Sequence, residues 1–520
     1  MAGGGPTSGS YSPLTGFIFI FNLIVGAGAL TIPHAFAQVG LLYGALALGL
    51  LALTSYVTAT FMIEAIAGVN ALRKRSRELE TGSTPSTREE RSEDESEDVT
   101  EDSNRDENLT TEFMPLMVPT QDDDRLEKKL RIRSPELGFD FDLTRKMELA
   151  QMAHTLFSHN GILAFYTCVV VYLYGDLAIY AVAVPKSLRE IVCPRPHPEA
   201  VVWECSDGLN SSDLYRLFVI LFGVTLGPFT FGHVHKTRTL QLITTVIRHA
   251  SFTLMIVLAV IGIARGEGRS AEEVIAYEKP TNIATFFGVC IYSFMCHHSI
   301  PGLVAPITNK AKVGKVIAWA FLAVLSVYLI LCVSATFRFK PDEIDDVYTL
   351  NFKKYPIRAV AYFLSLFPVC TLSANFPLIC ITLRENLHTL AKNIGSETDE
   401  QREARHARMS STRAFFVRNL YALLALVPPL VVAFFTEDVS MLVGFTGAYA
   451  GLGIQWVVPA CLVYCLRRQL EQERSRSPTD LKTHATNPFA SPFVHMGWLY
   501  LIMALSGFAV VLITITHGLH

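Results

Sequence analysis

Phe21-Asn22-Leu23-Ile24-Val25-Gly26-Ala27-Gly28-Ala29-Leu30-Thr31-Ile32-Pro33 is apolar except for one amide and one hydroxyl, and it carries two glycines about its middle and a proline at its end. It lies inside a longer apolar stretch, residues 14–38, which is enough to cross a hydrocarbon core of ~30 Å at ~1.5 Å per residue. Glycines at alternate positions lower the cost of unwinding a helix there. A helix that restarts beyond them points free amides inward, where a carboxylate can be held. The same glycines also suit close helix packing. The stretch therefore predicts a membrane crossing that is broken in the middle.

Further apolar stretches follow at 41–67, 161–188, 214–231, 240–263, 282–306, 316–337, 357–383, 415–435, 439–466 and 493–516. The chain is 50% hydrophobic and 18% charged over 520 residues, so the two classes must be segregated along its length, as they are. The expectation is an all-α membrane protein of about eleven crossings, with residues 1–13 and 517–520 as short tails and 14–69 and 147–516 as its two membrane blocks. The first stretch lacks a cationic leader and a small-residue cleavage site, which predicts that it is retained. The net charge of −3 and the lack of a basic, aromatic-interleaved patch exclude nucleic acid as a partner; the bilayer is the expected one.

Lys236 and Arg238; Lys310, Lys312 and Lys315; Arg413 and Arg418; and Arg467, Arg468, Arg474 and Arg476 fall on one side if eleven crossings are counted, which assigns that side and the N-terminus to the cytosol. Cys193, Cys205 and the sequon Asn210-Ser211-Ser212 then share one non-cytosolic loop, where a disulfide and a glycan can form. The other eight cysteines sit within apolar stretches, and no CxxC pair or zinc-ligand spacing occurs.

Residues 70–146 read as a disordered acidic cytosolic loop: eleven acidic residues against two arginines lie between Glu89 and Glu107. Within it, Glu112, Leu116 and Met117 have the form of an acidic dileucine signal, which predicts a sorting adaptor as partner and delivery to an endolysosomal membrane; without it the expected location is the plasma membrane.

The sixth stretch is interrupted too, at Tyr292-Ser293-Phe294-Met295-Cys296-His297-His298-Ser299-Ile300-Pro301. Breaks in the first and sixth crossings are what a five-plus-five inverted repeat requires, with one further helix, and such proteins bind solute near the midplane between the broken helices. This makes Asn22, Gly26, Ala27, Gly28, Ala29, Phe294, Cys296 and His297 candidates for solute binding, with the solute's carboxylate on the first break and its ammonium on the second. The eighth stretch offers Thr371, Ser373 and Asn375 before Pro377. Asp176, in Tyr174-Gly175-Asp176, is a mid-membrane carboxylate and a candidate for cation coupling, followed by His297. Glu64, Arg248 and His249 read as cytosolic or helix-end groups. No nucleophile, base and metal constellation points to an enzyme, and no resident cofactor is expected.

These motifs resemble the amino acid/auxin permease family, within the amino acid, polyamine and organocation superfamily. Asn22, Gly26, Gly28, Leu30 and Pro33 are similar to the first crossing of the sodium-coupled neutral amino acid transporters, Cys296-His297-His298 to their sixth, and Pro377 to Arg384 to the end of their eighth. FNLIVGAGALTIP, VVYLYGDLAIYAVAVP, YSFMCHHSIP and GAYAGLGIQWVVPA resemble one subgroup of that family over long strings. The resemblance implies a secondary transporter of amino acids or similar small organic solutes, working by alternating access and driven by a bound sodium ion or a transported proton. It also implies ion ligands at Asn22 and in the eighth crossing, where Asn375 replaces the relatives' threonine and Thr371 and Ser373 lie nearby. A solute sensor using the same pocket with little flux is the alternative.

Overall fold

The computed structural model describes residues 10–82, 139–196, 202–206, 208–231, 238–394, 411–476 and 486–518. The first crossing begins where Ser12 caps the helix, accepting from the Thr15 amide at 3.2 Å, with Pro13 at its first turn. Helix α1 (Pro13–Ile24) stops, the chain turns by 59°, and α2 (Gly28–Val39) continues. Gly40, at φ +105°, makes the tight corner into α3 (Leu41–Gly82).

The remaining helices are α4 (Leu149–Leu156), α5 (His159–Val192), α6 (Ser211–Leu226), α7 (Arg238–Ala264), α8 (Ala271–Ala276), α9 (Ile283–Ser293), α10 (Ile300–Val304), α11 (Val313–Arg338), α12 (Arg358–Ile394), α13 (Ser411–Phe435), α14 (Val439–Thr446), α15 (Val458–Arg476) and α16 (Met496–Gly518). Between α14 and α15 the helix widens into π turns over Gly447–Gly451 and Gly453–Val457. Among the described residues, eight helical segments are long and apolar enough to cross a membrane, and the bent α1–α2 pair makes a ninth. Ile283–Ser293 and Asn419–Phe435 are shorter apolar helices, so eleven crossings are reached only if each of these is also counted.

The core is apolar and continuous from Ile20 to Ile513. Helix α9 packs against α2, α14 and the π turn Gly447–Gly451. Glycines set these approaches. A Cβ on Gly28 would stand 2.6 Å from the Ser293 Cα, and one on Gly288 would stand 1.9 Å from the Gly444 carbonyl oxygen. Both broken crossings are therefore held against their neighbours at backbone distance.

The predicted loop boundaries differ from the structure at both ends. Helix α3 runs on to Gly82, with Asn70, Ala71 and Arg75 buried, and Phe139, Phe141 and Leu143 are buried, so the packed chain reaches into both ends of residues 70–146. Glu112, Leu116 and Met117, with the acidic run from Glu89 to Glu107, lie outside the described residues.

Candidate functional site

At the first break the backbone loses its helical partners, and other groups take them up. The Ile24 carbonyl accepts from the Gly26 amide at 2.7 Å and from the Tyr328 hydroxyl at 3.0 Å. Nη1 of Arg248 donates to the carbonyls of Asn22 and Val25, at 3.1 and 3.2 Å. Among the described residues the amides of Ala27 and Gly28 have no acceptor.

The sixth crossing breaks in the same way: α9 ends at Ser293 and α10 begins at Ile300, with the amides of Ser299 and Ile300 both turned onto the Cys296 carbonyl. Tyr328, on α11, lies 3.0 Å from the Ser293 carbonyl as well as from Ile24. One hydroxyl has one proton, so the two breaks share a single donor, which fixes their spacing.

Between the breaks lies a cavity of about 130 Å³, several times the ~10–15 Å³ that one water needs. Gly26, Ala27 and Gly28 line it from the first break; Tyr292, Met295, His298 and Ser299 from the sixth; Tyr172, Asp176 and Tyr180 from α5; Arg248 from α7; and Phe367, Thr371 and Asn375 from α12. Asp176 is buried and accepts from the Tyr292 hydroxyl, across from α5 to α9. Tyr172 and Tyr180 stand one turn before and after it, on the same face of α5. The wall therefore carries one carboxylate and one guanidinium, neither in an ion pair with a described residue, separated by phenols and apolar side chains.

Six predicted residues meet in this wall: Gly26, Ala27, Gly28, Asp176, Thr371 and Asn375. The others lie elsewhere. The Asn22 side chain is bonded to the His249 ring. Ala29 is buried in the core, and Ser373 is half-buried outside the cavity lining. Phe294 stacks on Phe321 and meets Tyr328 edge-on. Cys296 is fully buried. His297 turns away towards α3, with Nε2 at 2.9 Å from the Thr58 hydroxyl and 3.2 Å from the Ser55 carbonyl, while the neighbouring His298 faces the cavity.

The placement of Arg248 and His249 near a membrane surface is corrected. Arg248 is ten residues into α7, about 15 Å along its axis, and touches the midpoint of the first crossing. Glu64 is indeed paired, by two hydrogen bonds from Arg467 at 2.7 and 2.8 Å. Sequence reasoning missed Arg248, His298, Tyr292 and Tyr328. The Tyr172, Asp176, Tyr180 spacing was a visible signal of a polar stripe; nothing in the sequence marked Tyr328.

Cys193 and Cys205 are joined in a disulfide, and Asn210 is exposed at the start of α6. Below that loop Lys186 of α5 meets Asp346 at 2.7 Å, and Asp346 also accepts from the Val439 amide. Burial alone would push the Asp346 carboxyl up, but Lys186, His34 and the Val439 amide outweigh it and hold it below the usual carboxylate range. His34 and Gln38 of α2 bond to the Ile344 and Pro341 carbonyls, which straps residues 341–346 across the Val39 end of the first crossing.

The chain matches the family described as "Transmembrane amino acid transporter protein" over residues 9–79 and 144–511. It is also similar to proteins named Transmembrane protein 104. The chicken protein is 38% identical over 97% of this chain and 96% of its own, and the human protein 37% identical over 95% and 94%. A homolog from Drosophila melanogaster is 37% identical over 97% of both.

Proposed function

The chain belongs to the transmembrane amino acid transporter family, and from that premise we propose that it is a secondary active transporter of amino acids or similar small organic solutes. The observation that carries the reading is the cavity between the interrupted first and sixth crossings, which mixes polar with apolar lining residues. It has unpartnered amides at Ala27 and Gly28 on one wall and a buried carboxylate, Asp176, on another. Amides at a helix N-terminus suit the solute's carboxylate; Asp176 suits its ammonium group or a coupling proton.

Of the two coupling ions, the proton fits the geometry better. The Asn22 side chain that sodium would need is turned onto His249 and does not line the cavity, whereas Asp176 lies in the cavity with a hydroxyl partner that can follow its protonation. Alternating access would then require the two breaks and their shared Tyr328 donor to separate from α5 and α12. The residence of the protein is proposed as an endolysosomal or plasma membrane, with the disulfide loop on the oxidising side.

The test is flux. Purified protein in vesicles, offered a panel of amino acids and related small organic solutes under imposed pH and sodium gradients, should accumulate at least one solute in response to the pH gradient. Saturable binding with no accumulation under either gradient would overturn transport and leave a sensor.

A further inference from the structure

The electrostatics of the cavity go further than the family does. A guanidinium has five N–H donors and stays protonated in any protein setting. In Arg248, Nη1 serves the carbonyls of Asn22 and Val25; the three N–H groups on Nε and Nη2 find no acceptor among the described residues, and the side chain lines the cavity. No described carboxylate forms an ion pair with it. Tyr180 of α5, which lines the same cavity, is a phenol; Tyr328 of α11 is directed at the Ile24 and Ser293 carbonyls; and His249, beside Arg248 on α7, is engaged with Asn22.

A fixed cation deep in a membrane bundle is costly without a partner, and such groups mark ligand paths. The planar fork matches a carboxylate two bonds at a time, which an ammonium group cannot do. Nη1 is anchored on the Asn22 and Val25 carbonyls, and Arg248 lines the same cavity as Ala27 and Gly28, whose amides are unpartnered among the described residues. The two donor sets border one space. Asp176 supplies the opposite charge elsewhere on the same wall.

We propose that Arg248 is the specificity-determining residue of this site: it receives the free carboxylate of the solute and so selects zwitterions over amines, amides and esters, which share the ammonium group but lack the carboxylate. This rests on the transporter reading, but its test does not depend on flux. The proposal separates Arg248 from a purely structural staple of the break, because a staple would hold the helix without caring what the solute carries.

The experiment measures binding to the purified full chain in detergent, using the twenty proteinogenic L-amino acids, each beside its carboxamide. The wild type should bind at least one amino acid roughly ten- to a hundred-fold more tightly than the matching carboxamide. Arg248→Gln should bring that ratio close to one, and Arg248→Lys should reduce it, since a point charge replaces the fork. Asp176→Asn should leave the ratio intact. If Arg248→Gln does not fold, Arg248→Lys decides on the same ratio. An unchanged ratio in a folded Arg248 variant that still binds the amino acid overturns the proposal and leaves the transporter reading standing. If no amino acid binds the wild type at all, the proposal is overturned, while flux of the wider solute panel decides the transporter reading separately.

Discussion

Gly26 and Gly28 are two residues apart in one motif, yet the structure gives them different duties, and alanine at each should separate them. A Cβ on Gly28 would lie 2.4, 2.6 and 2.9 Å from the Oγ, Cα and Cβ of Ser293. Carbon atoms prefer ~3.5–4.0 Å, so the first and sixth crossings would have to part locally by about 1 Å. Overpacking of that kind costs roughly 1–3 kcal/mol; here a backbone atom is involved, which points to the upper end. A Cβ on Gly26 meets nothing closer than 3.7 Å, and its φ is not in the left-handed region. Gly26→Ala should then be neutral or stabilise by ~0.4–1 kcal/mol through the unfolded chain. Thermal unfolding in detergent reads the difference: Gly28→Ala should lower Tm clearly and Gly26→Ala should not. Ser293→Gly should rescue Gly28→Ala only in part, because it removes the Oγ and Cβ contacts but not the Cα. Equal Tm for the two alanine variants would refute the close packing of the breaks. The bulkier Gly28→Val, which the motif alone suggests as a test of solute binding, would disturb this packing and cannot isolate the site.

Asp346→Asn should destabilise the protein by about 3–5 kcal/mol at neutral pH, because it leaves Lys186 buried without its partner. Since the Asp346 carboxyl is held low, its contribution is present above the unfolded value of ~3.9 and fades as pH falls through the lower folded value, so the Tm gap between wild type and Asp346→Asn should close on acidification below about pH 4. Asp176→Asn should spare binding at saturating solute and abolish the pH dependence of uptake; uptake that keeps its pH dependence would remove the coupling role from that carboxylate. Glycosidase should sharpen the protein's electrophoretic band, Asn210→Gln should eliminate that shift, and a glycan instead on the other sequon, Asn108-Leu109-Thr110, would invert the topology. Leu116→Ala with Met117→Ala should move the protein from endolysosomes towards the cell surface, and an unchanged distribution would make the segment ordinary loop.

Much of this architecture was legible because its signals are local. Apolar runs of membrane length, a Gly-x-Gly ahead of Pro33, and the Pro301-terminated break are properties of contiguous residues, and the bilayer permits few other structures. Two loop cysteines likewise left one pairing, which the structure contains. What was hidden is rotational. His297 and His298 are adjacent, and hydropathy cannot tell which faces the cavity; the structure turns His297 onto Thr58 and Ser55 and leaves His298 in the wall. Arg248 was misplaced for a related reason: a charged residue in an apolar stretch reads as a helix end until its partners, the carbonyls of a distant broken helix, are known. Helix α3 runs past its apolar part to Gly82 with a charged continuation that composition assigns to loop.

The central claim is that solute binds between the two breaks, and a structure of the protein with a transported amino acid bound tests it most directly. The account predicts density in the cavity, with the carboxylate against the Ala27 and Gly28 amides and the Arg248 fork and the ammonium group directed at Asp176. Solute density elsewhere in the bundle, at saturating concentration and with this cavity unoccupied, would contradict it.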